Sequence, residues 1–457
     1  MGATAQPRLP VAADRPGAVR AGVGRLDGFD GRPVAWFRGA VAAGDARTVA
    51  RVVHTAVEYG VPVVGMVDRM GFDVEAGLSA LDGVGAIARE LTAASGVVPT
   101  ALVLDGPCLG GSAILVGLVD LVVMTTPATL FVNSPESSAS TTGTGDLDPG
   151  RLGGAWTHES GSGVATLLAE DLTDALSTVG EVLSFLPANN LEVGPSSPET
   201  DPADRDCRQA AAAVPSDGRS SYDVRSVIGD ILDDHHFVEL GARWGKSMVV
   251  GLGRVAGRPV GVVANQPSQL AGALDIDSSI KGARFVRWCD AFNTPLVTLV
   301  DTPGFRPGRD QEWLGIVRHG AKLAFAYAEA TVPRVSVVLR KAFGGAYIVM
   351  DSKAMGNDCA LAWPDAEIAV MGPGGAVEIL HRKRLLAASD GERHAERVRL
   401  EAAYAEEHLS PRAAADRGFV DAVIEPASTR LAVAEAVVAL ASKRASAPRR
   451  GHENIPL

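Results

Sequence analysis

Two glycine pairs, Gly110-Gly111 and Gly344-Gly345, each end an apolar run of β type, and they are the residues of this chain best suited to chemistry. Glycine lets backbone N–H groups come close to an oxygen, and a helix that begins there adds the partial positive charge of its N-terminus. Two such N–H groups converging on one carbonyl form an oxyanion hole, which stabilises an enolate better than water because the donors need no reorganisation. Two holes suit a reaction in which both partners pass charge through a carbonyl oxygen. A single Gly-Gly after a strand is an ordinary turn, so the argument rests on the pairing.

The pairing extends upstream. Pro99 precedes Gly111 by twelve residues, and Pro333 precedes Gly345 by the same twelve. Pro62 to Phe72 matches Pro295 to Phe305, with Asp68 and Asp301 in corresponding places, 42 and 43 residues before the first glycine of each pair. Gly31-Arg32-Pro33-Val34 answers Gly257-Arg258-Pro259-Val260. Three landmarks in one order indicate two similarly folded halves, at a period too long for a solenoid.

The elements that must position these turns alternate. Residues 34–37 read as a strand, 45–59 as an amphipathic helix, 61–67 as a buried strand and 78–92 as a helix, followed by the strand into Gly110. A helix over 112–118, strands at 121–124 and 130–133, a Ser/Thr/Gly-rich loop over 134–154 and a helix over 171–183 complete the half. The second half is read as a helix at 224–232, a hairpin around Gly257-Arg258, a helix at 278–292, a strand at 297–301, a helix at 312–330, the strand to Arg340, a strand at 365–371 and helices at 393–408 and 427–444. This is the rhythm of parallel sheets with crossover helices. It divides the chain into a lead-in (1–21), a first domain (22–194), an exposed Pro/Ser/Asp/Ala-rich linker (195–220) and a second domain (221–457).

Composition agrees with a two-domain α/β protein: 457 residues, 46% hydrophobic, 5% aromatic and 51 glycines. A net charge of −11 argues against nucleic acid as a partner. Cys108, Cys207, Cys289 and Cys359 are far apart and form no CxxC, which fits a reduced cytoplasmic setting and no metal site. The opening shows no signal-peptide pattern, and no apolar run reaches membrane-spanning length. His158 lies beside a glycine-rich segment, either as a surface loop residue or as a ligand contact.

From about Gly96 to the C-terminus, and most specifically in its second half, the chain resembles the carboxyltransferase (β) subunit of biotin-dependent acyl-CoA carboxylases. The resemblance is carried by the run from Asp301 to Glu312, Ile316-Val317-Arg318-His319-Gly320-Ala321-Lys322-Leu323, Glu329-Ala330-Thr331-Val332-Pro333, the run from Arg340 to Tyr347, the run from Ala362 to Gly372, Val263-Ala264-Asn265-Gln266-Pro267 and the closing Asn454-Ile455-Pro456-Leu457. The family implies an α/β fold of two tandem crotonase-like domains related by internal duplication. It also implies a ring-shaped homo-oligomer, commonly a hexamer, with each active site shared between neighbouring subunits. Carried over by position, Gly110 and Gly111 hold the thioester oxygen of an acyl-CoA, flanked by the substrate-binding residues Cys108, Leu109 and Ser112. Gly344 and Gly345 hold the ureido oxygen of biotin, flanked by Phe343, Ala346, Tyr347 and Ile348.

The activity implied is carboxyl transfer from carboxybiotin to the α-carbon of acetyl-CoA or propionyl-CoA. Decarboxylation of malonyl-CoA or methylmalonyl-CoA, and a non-catalytic assembly role, stay open as alternatives. No Met-Lys-Met biotin attachment motif and no Walker-type loop occur, so biotin would ride on a separate carrier, with a biotin carboxylase partner consuming ATP. Four departures from the family pattern stand out. Relatives carry a longer segment ahead of Gly24-Arg25. They have a Gly-Gly-Ala-Arg loop where this chain has residues 68–77. Propionyl-type relatives often place Asp where this chain has Ile348, and Ser112-Ala113-Ile114 replaces a more usual Ala-Val-Tyr. The last two departures imply an altered acyl pocket.

Overall fold

Apolar runs rich in Val, Ala and Leu form the strands of two largely parallel sheets in a computed structural model, which describes residues 19–25, 31–71, 75–143, 147–218, 220–443, 445, 452 and 454–456. Strands buried on both faces need no polar alternation, which is why these segments read as continuous apolar runs. Most of the expected lead-in, residues 72–74 of the departing 68–77 loop, and Leu457 of the closing motif lie outside the described residues.

The first of two units draws on Met1–Pro195, Leu240–Trp244 and Ala291–Asn293. Its strands are β1 (Arg20–Arg25), β2 (Pro33–Val41), β3 (Val63–Met70), β4 (Thr100–Leu104), β5 (Pro107–Leu109), β6 (Leu121–Thr125), β7 (Thr129–Phe131) and β8 (Leu167–Ala169). The main path runs β1-β2-β3-β4-β6-β8. β1 and β2 form an antiparallel hairpin, and the remaining pairs on the path are parallel. β5 leaves this path to bridge β3 through Met70↔Cys108 and to pair with β7. Helix Ala46–Tyr59 buries Ala46, Val49, Val53 and Ala56, a 3-4-3 spacing that lays one stripe on the sheet, and Gly60 ends it in the left-handed conformation at φ 63°.

The second unit draws on Ser196–Glu239, Gly245–Asp290 and Thr294–Leu457. Its strands are β9 (Phe237–Leu240), β10 (Met248–Val255), β11 (Arg258–Asn265), β12 (Leu296–Thr302), β13 (Arg334–Phe343), β14 (Cys359–Ala362), β15 (Glu367–Ala369) and β16 (Ala422–Val423). The path runs β16-β14-β13-β12-β11-β10-β9, with β15 beside β13. Set β9 aside and the order repeats that of the first unit, from the antiparallel hairpin β10/β11 through three parallel neighbours to the edge. The duplication read from three landmarks is thus present strand for strand.

Three stretches differ from their sequence reading. Residues 195–220, read as an exposed linker, are mostly exposed but not featureless: they carry helix Arg208–Ala213, and Cys207 and Ala210 are buried in the second unit's core. The polar composition hid this because Asp201 and Asp230 bind Arg205 at 2.8 and 3.0 Å, so their charge is used internally. The 134–154 loop holds helices Pro135–Thr142 and Pro149–Gly153, whose first turns are capped by the Ser134 and Asp148 side chains. The single helix expected over 312–330 is two, Arg309–Leu314 and Ile316–Glu329, broken at Gly315 with φ 93°. Among the described residues no helix is long and apolar enough to cross a membrane.

Candidate functional site

Each glycine pair sits where a strand turns into a helix, and in both pairs it is the first glycine that adopts the left-handed conformation, Gly110 at φ 82° and Gly344 at φ 60°. A side chain is strained there, so the residue type follows from the backbone path. The residue ahead of each is extended, Leu109 and Phe343, and serves as the N-cap. Helix Gly110–Leu118 is of the 3-10 kind and helix Gly344–Val349 is α. At the first residues of either helix the N–H groups have no acceptor within the helix and point outward.

At the first turn the neighbours divide between support and surface. Cys108 is fully buried, its thiol 3.9 Å from the Gly106 carbonyl, and burial pushes that thiol up to about 12. It is a core residue in the cluster with Met70 and Leu130. Ser112 is buried and its hydroxyl donates to the Leu109 carbonyl at 3.0 Å, which braces the turn across Gly110. Leu109 and Ile114 are exposed. Of the three predicted contacts here, only Leu109 presents its side chain to solvent.

At the second turn Phe343 and Ala346 are buried, Tyr347 is half-buried with its hydroxyl pKa raised by burial, and Gly345 and Ile348 are exposed. A Cβ on Gly344 would lie 3.1 Å from the Val370 carbonyl, and one on Gly345 would lie 3.6 Å from the Phe305 ring. Phe305 therefore walls the outer glycine. Ile348 and Ile114 each stand three residues after the second glycine of their pair, and both are exposed.

The residues behind the second turn were not assigned a role by sequence reasoning. Asp301, at the end of β12, has both carboxylate oxygens engaged. Oδ2 accepts from the Tyr222 hydroxyl at 2.9 Å and from Arg340 Nε at 3.1 Å, and Oδ1 accepts from the Lys341 N–H at 3.2 Å. Burial raises the Asp301 pKa, against the lowering effect of the Arg340 and Lys341 charges and of the Tyr222 hydrogen bond. Asn265 accepts from the Asp301 N–H at 3.2 Å and donates to the Gly272 carbonyl at 3.3 Å. The available signal was the Asp68/Asp301 landmark, which marked the position and not its partners.

His158, the other residue singled out, is held in place by Leu130 O at 2.8 Å from Nε2 and by Ser162 Oγ at 2.8 Å from Nδ1. Both ring nitrogens serve the fold. Among the described residues no group of three or more His, Cys, Asp or Glu side chains is placed to hold a metal ion.

Residues 14–455 match the family described as "Carboxyl transferase domain". The carboxyltransferase subunit of propionyl-CoA carboxylase from Haloferax mediterranei is 46% identical over 422 residues, 92% of this chain and 81% of that protein. The methylmalonyl-CoA decarboxylase subunit alpha of Veillonella parvula is 41% identical over 413 residues, 90% of this chain and 79% of that one. The transcarboxylase 12S hexamer, solved with methylmalonyl-coenzyme A bound, superposes with a TM-score of 0.92 at 40% identity, covering 96% of this chain and 84% of its own. The α/β fold is therefore a tandem of crotonase-like domains, and the chain belongs to the carboxyl transferase family of enzymes.

Proposed function

We propose that this protein transfers a carboxyl group from carboxybiotin on a separate carrier protein to the α-carbon of a short acyl-CoA, with Gly110-Gly111 serving the acyl-CoA and Gly344-Gly345 serving biotin. The observation that carries the reading is the repeated turn: a left-handed first glycine, then the open amides of a new helix, in each of two duplicated halves. At the first turn the amides donate to the thioester oxygen as the α-carbon loses its proton, and negative charge collects where donors are already aligned. Leu109 lines that approach. Cys108 and Ser112 act from behind, by packing and by bracing.

The second turn fits a ureido oxygen. Gly345 is open, Phe305 supplies an apolar wall, and Ile348 adds an exposed branched apolar chain beside it. When bound, biotin supplies the carboxyl group and a ureido nitrogen basic enough to take the substrate's proton. The chain's own residues bind and orient: Gly344 and Gly345 hold the oxygen, while Phe343, Ala346 and Tyr347 fix the helix that carries them. Propionyl-CoA is the favoured substrate, with acetyl-CoA next, because the Haloferax relative is a propionyl-CoA carboxylase subunit. A separate biotin carboxylase and carrier are the proposed partners. Self-assembly, in a hexamer as for the 12S relative, is proposed with them.

The similarity to the Veillonella decarboxylase subunit keeps a second reading, loss of carbon dioxide through the same enolate. One experiment separates them. The purified protein is incubated with malonyl-CoA or methylmalonyl-CoA, with and without free biotin or a biotinylated carrier, and products are followed by mass. Biotin-dependent loss of the carboxyl group with formation of carboxybiotin is the expected result. Loss without biotin makes the protein a decarboxylase, and no loss in either arm favours an assembly role. Gly345→Val, which crowds Phe305 and the amide, is expected to abolish biotin-linked turnover in a folded protein; unchanged kinetics removes that glycine from the site.

A further inference from the structure

β12 and β13 run in register from Leu296↔Arg334 to Val300↔Val338, and the next pair is Thr302↔Ala342. Asp301 alone therefore faces Leu339, Arg340 and Lys341, a bulge of two extra residues. Such a bulge leaves backbone groups without ladder partners and bends its strand. Here the side chain of the single facing residue fills the gap, since Asp301 Oδ1 accepts the Lys341 N–H. Beyond the bend, Lys341 to Phe343 pair with Glu367 to Ala369 of β15, and Gly344 follows at once. The bend sets where the strand ends and which way the glycine turn faces.

The remaining bonds fix the carboxylate itself. Arg340 Nε and the Tyr222 hydroxyl both donate to Oδ2, and Arg340 also donates to the Ser220 carbonyl at 2.8 Å. The Arg340 guanidinium lies 5.2 Å from the centre of the Tyr222 ring. Asp301 is about 1% exposed, and a buried carboxylate so engaged has no freedom to drift. Its own backbone is tied through Asn265 to Gly272. Leu270, Ala271 and Gly272 are consecutive left-handed residues, and a Cβ on Gly272 would lie 2.2 Å from the Asp301 carbonyl. Strain of this kind is kept where the surroundings over-determine it.

We propose that Asp301 is a positioning residue for the Gly344-Gly345 turn: it closes the β13 bulge and thereby aims the amides of that turn. The inference rests on the function proposed above, in which this turn is one of the two holes. Asp301 touches no substrate and acts through Lys341 and the three residues that follow it.

The test compares wild type with Asp301→Asn, Asp301→Ala, the double change Asp301→Ala with Arg340→Met, and Gly345→Val. Biotin-dependent turnover of methylmalonyl-CoA and amide hydrogen exchange are both measured. The double change removes both buried charges together, so it is the variant expected to fold if Asp301→Ala alone does not. Expected are a fall in kcat of about a hundredfold, the order seen when one oxyanion-hole donor is lost, with KM for the CoA ester unchanged. Exchange at residues 341–349 is expected to rise about tenfold while β10 and β11 keep their protection, a local opening distinct from global unfolding. A folded Asp301 variant with wild-type exchange at 341–349 overturns the proposal, whether or not the protein turns over this substrate. Normal exchange-independent kinetics in Gly345→Val overturns instead the reading of the turn, and the two failures are told apart.

Discussion

Six residues after the first proline of β3's approach, Pro62, the first unit places Asp68 in solvent; six residues after Pro295 the second unit places Asp301 in its interior. Both stand at a break in the sheet. In the first unit the register passes from Val67↔Leu104 to Met70↔Cys108, so the chain between β4 and β5 also carries an extra residue. There the gap is closed by backbone contact: a Cβ on Gly106 would lie 2.0 Å from the Asp68 carbonyl. In the second unit the residue equivalent to Gly106, counted from the glycine pair, is Arg340, and the gap is closed by charge and hydrogen bonds. A duplicated topology therefore does not require a duplicated interior. What both copies preserve is the direction in which the strand leaves, because the glycine turn depends on it.

The largest expected effect tests the first half of that contrast. Gly106→Ala puts a methyl group into a backbone carbonyl, which no side-chain rotation can relieve, and should cost about 4 kcal/mol or more, the range reserved for core clashes. Urea denaturation should show the loss in the first unit, with the second unit's transition retained. A near-neutral outcome would mean that the close approach is not what holds β5 against β3.

Which of these features could be read from sequence follows from how local their causes are. The strands were legible because both-face burial writes continuous apolar runs, and the duplication because proline, aspartate and glycine recur at equal spacing. The turns were legible because glycine is needed at φ 82° and 60°. The Asp301 network was not, since Tyr222 and Arg340 lie 79 and 39 residues away and no spacing pairs either with Asp301. Cys108 was placed at the substrate because of its proximity in sequence to Gly110, while strand alternation turns it inward and Leu109 outward. Residues 195–220 read as a linker because polar composition counts charges as solvated, whereas Asp201 of that segment binds Arg205 and Arg205 also reaches Asp230 beyond it.

The second unit's reliance on buried charge predicts an intermediate effect that depends on pH. Asp351 is fully buried, accepts from Arg334 at 2.7 Å and from Asn357 at 2.7 Å, and is raised to about 6, chiefly by burial. A carboxyl group that is more basic folded than unfolded binds its proton more tightly in the folded state. Its contribution is therefore most favourable below the unfolded value, 3.8, and is lost as pH rises through about 6. Relative to Asp351→Asn, which has no titration here, wild type should gain about 1 kcal/mol on going from pH 7 to pH 5. Urea midpoints of both proteins at the two pH values give the difference, with all other acids cancelling. A gap that is constant or shrinks on acidification would show that the Arg334 pairing outweighs burial.

The smallest expected effect belongs to the apolar interior of the first unit. Counted from the matched prolines, Gly65 corresponds to Thr298. Thr298 shares a hydrogen bond of 2.9 Å with the Tyr327 hydroxyl, whereas Gly65 lies under Phe37 and Leu102, which would come within 2.3 and 2.7 Å of a Cβ there. Large side chains thus occupy the glycine's space, and beside them remains a void of about 30 Å³ lined by Phe37, Val63, Val67, Leu102, Leu115 and Val119. The lining is almost entirely apolar, so the space attracts no water and its walls forgo dispersion contacts. Val67→Ile keeps the β-branched shape suited to β3 and adds one methylene toward that space. It should raise stability by up to about 0.8 kcal/mol, the value of one buried methylene, seen as a higher urea midpoint with unchanged slope. If the added group cannot reach the void, overpacking would instead cost about 1–3 kcal/mol, and the sign of the shift decides whether the first unit's looser packing can be filled from β3.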